Sequence, residues 1–369
     1  MSEVAARDWA CNALVSKAIS EPSPSVEVML SAAAEEGILA LLNDSVDRMP
    51  AEFVSTEFRV ALRGAARVET AKELLRMSHA REVVAALSVM GIATLVLKGT
   101  AMAYWLYAEP SHRPRCDLDL LVESREAAQR AVAVLQGEDY AVVADVGVAS
   151  SAEFEVALQR RTPGGLVHTI DLHWRLVNHA SLSRGFTFSE LWAGRIPIPK
   201  LHAQAFGLGR VHALVHALLH RVTNFPSGTQ DRLIWLYDIH LLAGGFGVAE
   251  WDSVLTLCAG KGIATPCLDG LNATRTAFGT TVPEAVITAM QAMTAAEAWH
   301  MGLALDQGAM DRAHLAALSW PDRAGWLWRK LFPSHEFMRY RYGATGIAGL
   351  ARAYLVRWWV GIRRGLGWH

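Results

Sequence analysis

Thr94-Leu-Val-Leu-Lys98-Gly99-Thr100 and, seventeen residues further on, Asp117-Leu-Asp-Leu-Leu-Val122 decide how this chain reads. The first stretch is short, opens on a β-branched residue and is bounded by Gly91 and Gly99, which suits a buried strand. Thr100 to Tyr107 then reads as a short helix that stops near Pro110. The second stretch reads as another strand. Residues two apart on a strand share a face, so Asp117 and Asp119 project together while Leu118 and Leu120 bury the other side. Two like charges so placed raise each other's pKa unless a cation lies between them. Magnesium suits the position, because it takes oxygen ligands, commonly one or two carboxylates plus substrate phosphates.

A third acid comes from a hairpin. Glu155 to Arg161 and Leu166 to Trp174 flank Thr-Pro-Gly-Gly, a strong turn signal. Alternation puts Leu166, His168, Ile170, Leu172 and Trp174 on one face and Thr169, Asp171 and His173 on the other. If this strand lies beside the Asp117 strand, three carboxylates converge. Such a group can hold two magnesium ions roughly 4 Å apart for in-line attack on a phosphoryl group. Asp171 is then best placed to activate the attacking hydroxyl. A more ordinary reading makes Asp171 a core acid paired with Arg175 or His173. Upstream, the turn Lys98-Gly99-Thr100 joins a strand to a helix. Backbone N–H groups at a helix start favour phosphate, Gly99 permits close approach, Thr100 adds a hydroxyl and Lys98 a positive charge. Arg113 and Arg115, just before the acids, either balance them or reach a triphosphate.

Outward from this centre the chain reads as helices. Before residue 90, apolar positions recur through Ile38, Leu41 and Leu42, then through Leu74, Leu75, Val83, Val84 and Leu87, punctuated by Pro22, Pro24 and Pro50. Ser124 can cap a helix with Glu126 in its first turn and Gly137 near its end. Tyr140 to Val143 is a further strand candidate. Beyond about residue 200 the helical spacing returns. The expected fold is α+β: a small mixed-sheet core over 91–200, between an N-terminal helical region (1–90) and a C-terminal helical domain (201–369).

Apolar residues make up 52% of the 369 positions and charged residues 19%, so a continuous core is expected. The net charge of −1 gives no overall reason to expect nucleic-acid binding. From Trp320 onward, however, nine Lys/Arg face only Asp322 and Glu336, a local +7 that leaves −8 elsewhere. That basic, Trp/Arg-rich tail suits nucleic acid, an acidic membrane surface or the protein's own acidic body. Cys11, Cys116, Cys258 and Cys267 form no C-x-x-C pair, which fits reduced thiols. No signal peptide and no run of 18 apolar residues is evident, so a cytoplasmic protein without a transmembrane segment is expected. His212, His216 and His220 form a stripe whose ends lie about 12 Å apart on a helix, too far for one zinc ion to take all three. They read as helix-face residues packed on the core, or as contacts to a nucleotide.

Together, "LVLKGTAMAYWLYAEPSHRPRCDLDLLV" and "IDLHWRL" resemble the nucleotidyltransferase superfamily typified by DNA polymerase beta. More closely they are similar to an uncharacterised bacterial nucleotidyltransferase family. The likeness extends to "LLRMSHAREVVAALSVMGIATL", "HALVHALLH" and "RLIWLYDIHLL", over most of residues 30 to 300. It implies a nucleotidyltransferase core with the metal pair on Asp117 and Asp119, the third acid on Asp171 and the phosphate turn on Gly99 and Thr100. There Thr100 replaces the usual serine. The closer family's lysine and arginine fall on Lys98 and Arg113. The implied chemistry is Mg2+- or Mn2+-dependent transfer of a nucleoside monophosphate from an NTP to an acceptor hydroxyl, releasing pyrophosphate. The acceptor stays open among small molecule, peptide, protein and RNA. Two alternatives are a non-catalytic binding protein of the same fold and a glycosyltransferase using the D-x-D.

Overall fold

A computed structural model of the chain describes residues 25–143, 154–162, 164–183, 185–297, 301–302, 307–333 and 335–365. The first helices are α1 (Val26–Glu35), α2 (Leu39–Val46) and the long α3 (Thr56–Val89). Ser25 and Ser55 cap α1 and α3, each hydroxyl accepting from the backbone N–H three residues on. The buried stripe of α3 runs through Phe58, Leu62, Ala66, Glu73, Ala80, Val83, Val84 and Leu87. Leu74 and Leu75, expected within the apolar periodicity, are exposed. They fall off a stripe that Glu73 occupies instead.

The central part alternates strands and helices: β1 (Thr94–Val96), α4 (Lys98–Trp105), β2 (Asp117–Val122), α5 (Arg125–Gly137) and β3 (Ala141–Val142). Ser124 caps α5, its Oγ accepting from Ala127 N at 3.2 Å. The hairpin β4 (Glu155–Arg161) and β5 (Val167–His173) turns where expected, with Gly165 at φ +81° and its N–H donating to Thr162 O. After α6 (Ala180–Ser183) and α7 (Phe188–Ala193), the two-residue strands β6 (Ile196–Pro197) and β7 (Phe206–Gly207) complete the sheet. They carry no alternation long enough to announce a strand.

The fold is α+β, with one mixed seven-stranded sheet ordered β3-β4-β5-β2-β1-β7-β6. β2 is central, antiparallel to β1 and parallel to β5. Alternation sorts its faces. Val96, Leu118, Leu120, Val122, Leu158, Ile170 and Leu172 join α3 and α5 in one core cluster. Leu95, Leu97 and Leu121 look the other way, into a core shared with α1, α2 and the C-terminal helices. Those helices are α8 (Arg210–Thr223), α9 (Leu233–Gly244), α10 (Val248–Lys261), α11 (Ala264–Phe278) and α12 (Glu284–Thr294). The two helical regions, far apart in sequence, thus meet over one face of the sheet.

The tail adds α13 (Gln307–Ala317), α14 (Trp320–Leu331), α15 (His335–Tyr342) and α16 (Gly346–Gly365). Trp326 anchors it in a cluster with Phe154, Ala180 and Leu318. No helix among the described residues is long and apolar enough to cross a membrane. Cys258 and Cys267, nine positions apart, come together as buried free thiols, and Cys116 is exposed. Cys11 lies outside the described residues.

Candidate active site

The parallel pairing of β2 and β5 sets Asp119 opposite Asp171 and Asp117 opposite Thr169. Paired residues of neighbouring strands share a face. All three carboxylates therefore stand on the side away from Leu118, Leu120, Ile170 and Leu172. His173 follows on the same face, its Nε2 3.1 Å from Asp119 Oδ1 and its Nδ1 3.1 Å from Glu155 Oε2. Of the two partners that the more ordinary reading offered Asp171, His173 thus lies between two other acids and Arg175 stacks on Phe154.

Lys98 completes the cluster. It opens α4 with φ +48°, a left-handed conformation uncommon for a residue with a side chain. Its Nζ donates to Asp119 Oδ1 at 2.6 Å. Burial acts to raise the Asp119 carboxyl, but Lys98 and His173 outweigh it and hold the group well below the ordinary range. Asp117 is pushed up, first by the charge of Asp119 and then by burial. Asp171 is pushed up to about 7 by burial, with the charges of Asp119, Asp117 and Glu155 adding to it. One acid of the three is thus held low, and the other two are pushed up by burial and neighbouring negative charge, which Lys98 offsets in part at Asp117.

The other expected site residues surround this floor. Gly99 is required by close packing: a Cβ there would stand 2.9 Å from Arg113 Nη1 and 3.0 Å from Arg113 Cζ. What closes on the turn is thus a guanidinium. Thr100 is buried, and its hydroxyl donates to the carbonyl of Asp117 at 3.2 Å, tying α4 to the acid-bearing strand. Arg113 is held by Asp238 of α9, with Nε to Oδ1 at 2.8 Å and Nη2 to Oδ2 at 2.7 Å. Tyr107 donates to the same carboxylate at 2.7 Å. Arg115 is paired with Glu73 of α3, Nη1 to Oε2 at 2.6 Å, and Tyr104 donates to Glu73 as well. Both arginines clamp helices onto the acid-bearing segment.

Between the acid face and the helices lies a cavity of about 330 Å³, within the range of small-ligand sites. Lys98, Gly99, Asp117 and Asp119 line its floor, and Lys72 and Arg76 of α3 contribute cations. His216, His220 and Trp235 line the helical wall. Arg113 lines it too, whereas Thr100 and Asp171 are not among its lining residues. Of the histidine stripe, His212 pairs with Glu190 at 3.5 Å. His216 and His220 are kept neutral, chiefly by burial and then by the Lys98 charge, with His216 pushed down to about 3.

Three hard oxygen donors on one sheet face, with two pKa values raised by burial and mutual repulsion, fit a divalent cation chemically. As arranged, with Lys98 on Asp119, no group of three His, Cys, Asp or Glu side chains among the described residues is set to hold one.

Sequence reasoning gave no role to Glu73, and it weighed Asp238 only in Asp238-Ile-His240, set aside because it is not the adjacent His-Asp pair of metal phosphohydrolases. Each was detectable as an acid at a position where helical spacing calls for an apolar residue. Asp238 is the sole acid in Leu233–Gly244. Such residues need a buried cation, and the two arginines flanking Pro114 supply it.

Residues 22–279 match the model of a family described as uncharacterised nucleotidyltransferase. Among curated proteins none matches the chain. Among solved structures, one match is an antigenic nucleotidyltransferase-like protein from Paracoccidioides brasiliensis. It is 16% identical, with 58% of this chain and 96% of that chain covered at a TM-score of 0.32. The family match takes in both acid-bearing strands, the Lys98-Gly99-Thr100 turn and every wall of the cavity. By that match over well more than half its length, the chain belongs to this family of uncharacterised nucleotidyltransferases.

Proposed function

We propose that this chain moves a nucleoside monophosphate from an NTP to an acceptor hydroxyl and releases pyrophosphate. The observation that carries the reading is the register of β2 and β5, which sets Asp171 beside Asp119 with Asp117 two residues away. Asp117, Asp119 and Asp171 would hold Mg2+ or Mn2+. A cation bound there supplies charge stabilisation to the transferring phosphoryl group. Lys98 and the backbone at the start of α4 receive the phosphate chain. Asp171 accepts the proton of the attacking hydroxyl. The acceptor oxygen bonds to the α-phosphorus as the bond to the pyrophosphate oxygen breaks. Label transfer from an α-phosphate-labelled NTP, across a panel of small-molecule, peptide and RNA acceptors, tests this. Transfer that disappears in Asp117→Ala and Asp119→Ala is the expected result. Neither nucleotide binding nor transfer in the intact chain would end the reading.

The ion pair between Lys98 and Asp119 favours a second reading, a nucleotide-binding protein of the same fold without catalysis. Calorimetry separates the two. Nucleotide heat indifferent to Mg2+ and to Asp117→Ala supports the second.

A further inference from the structure

Among the described residues the tail takes no part in the cavity, whose lining residues all precede Ile239. Its outward face is unusual in a different way. Trp326 of α14 points inward to the cluster with Leu318 and Ala180, and Lys330 pairs with Asp311 of α13. The next side of α14 leaves Trp328 64% exposed, with Leu331 and Phe332 also open.

Helix α16 lies across this end. Trp358 Nε1 donates to Leu331 O at 2.8 Å, and the Trp358 and Phe332 rings meet edge to face at 5.4 Å. Its inner side, through Ala353, packs with Met338 and Ala344. Its outer side leaves Ile347 88%, Leu355 62% and Trp359 60% exposed. At 100° per residue Leu355 and Trp359 fall within an arc of about 40°, while Ile347, in the first turn, lies about 20° from Trp358. Arg352, exposed, borders that arc, and Arg339 and Arg341 of α15 are exposed nearby in the chain. The apolar surface thus sits in the segment that carries the local +7.

We propose that the outward face of α14 and α16 docks on the surface of anionic phospholipid membranes. Exposed aliphatics decide against RNA, because bases stack on rings and arginine planes, whereas Ile347 and Leu355 offer neither. The body is met by the opposite side, where Trp326 packs with Phe154 and Ala180, while Lys330 pairs with Asp311 within the tail. An amphipathic helix with tryptophan on the apolar face and arginine at its border lies in the headgroup plane, its apolar face at the boundary between headgroups and acyl chains. No helix among the described residues is suited to cross, so attachment is peripheral and reversible.

Flotation of the full chain with phosphatidylcholine vesicles, with and without phosphatidylglycerol, tests the proposal. The chain floats with the anionic vesicles, floats poorly with the neutral ones and detaches as salt rises. Arg352→Gln weakens binding about fivefold, the effect of one basic residue near such a surface. Leu355→Ser with Trp359→Ser weakens it more than tenfold, with unchanged melting. Should that double variant fail to fold, brominated acyl chains quench tryptophan emission of the unmodified chain if α16 is embedded. No flotation with anionic vesicles overturns the proposal. So does flotation unaltered in both variants, or the absence of quenching. Binding to single-stranded RNA without vesicle binding, or a light-scattering dimer broken by the double variant without vesicle binding, overturns it equally.

Discussion

Lys98 Nζ lies 2.6 Å from Asp119 Oδ1, so the floor of the cavity carries a built-in cation at its most buried carboxylate. The lysine reaches it from a left-handed backbone conformation at the start of α4. Three acids on one face would otherwise repel one another in a site largely closed to water. Lys98 acts as the resident countercharge that makes the ligand-free arrangement tolerable.

Lys98→Met should therefore lose roughly 2–4 kcal/mol of stability in the presence of a chelator, because a buried carboxylate is left without its partner. Added Mg2+ should restore much of the loss and raise Tm more in the variant than in the parent. Chemical denaturation with and without Mg2+ measures both. A variant whose stability ignores Mg2+ would show that the acids do not bind it.

The Asp171 carboxyl gives a pH signature whose sign is fixed. Unfolded, it loses its proton near pH 4; folded, it holds it to about 7. Between those values the folded chain binds more protons, so its contribution to stability falls as pH rises through this window and levels off above it. Asp171→Asn removes that fall and should be more stable than the parent at pH 8, by on the order of 2 kcal/mol. Melting temperatures from pH 4 to pH 8 measure it. Mg2+ should flatten the slope in the parent alone.

Arg113 and Asp238 join two segments 125 residues apart through paired, buried hydrogen bonds. Asp238→Ala strands the guanidinium and should cost roughly 3–5 kcal/mol. Pairing it with Arg113→Met should recover part of that loss, a non-additivity read from a double-mutant cycle. Gly99→Ala should cost about 1–3 kcal/mol despite alanine's better helix propensity, since its Cβ meets Arg113. The cost should shrink in Arg113→Met.

Cys116 is exposed at the cavity, next to Asp117, whereas Cys258 and Cys267 are buried. Alkylation followed by peptide mass spectrometry should label Cys116 well before those two. NTP with Mg2+ should slow that labelling severalfold, and Asp117→Ala should abolish the protection. Equal labelling with and without nucleotide would place the ligand elsewhere.

Period-two alternation is a local property, and it sufficed to put Asp117 with Asp119, and Asp171 with His173, on shared faces. Turn chemistry located the β4–β5 hairpin, and Ser124 announced α5. Alternation does not say which strand lies beside which, nor in which register. A slip of two residues keeps every face and still separates the acids, so the pairing of Asp119 with Asp171 belongs to the assembled sheet. The partners of Lys98, Arg113 and Arg115 are long-range in the same sense. Each cation could have faced solvent or phosphate, and packing gave each a carboxylate from another element. Leu74 and Leu75 look apolar enough for a core, yet Glu73 beside them is the buried one. Burial follows where a long helix meets its neighbours, and it admits an acid wherever a fixed cation is waiting.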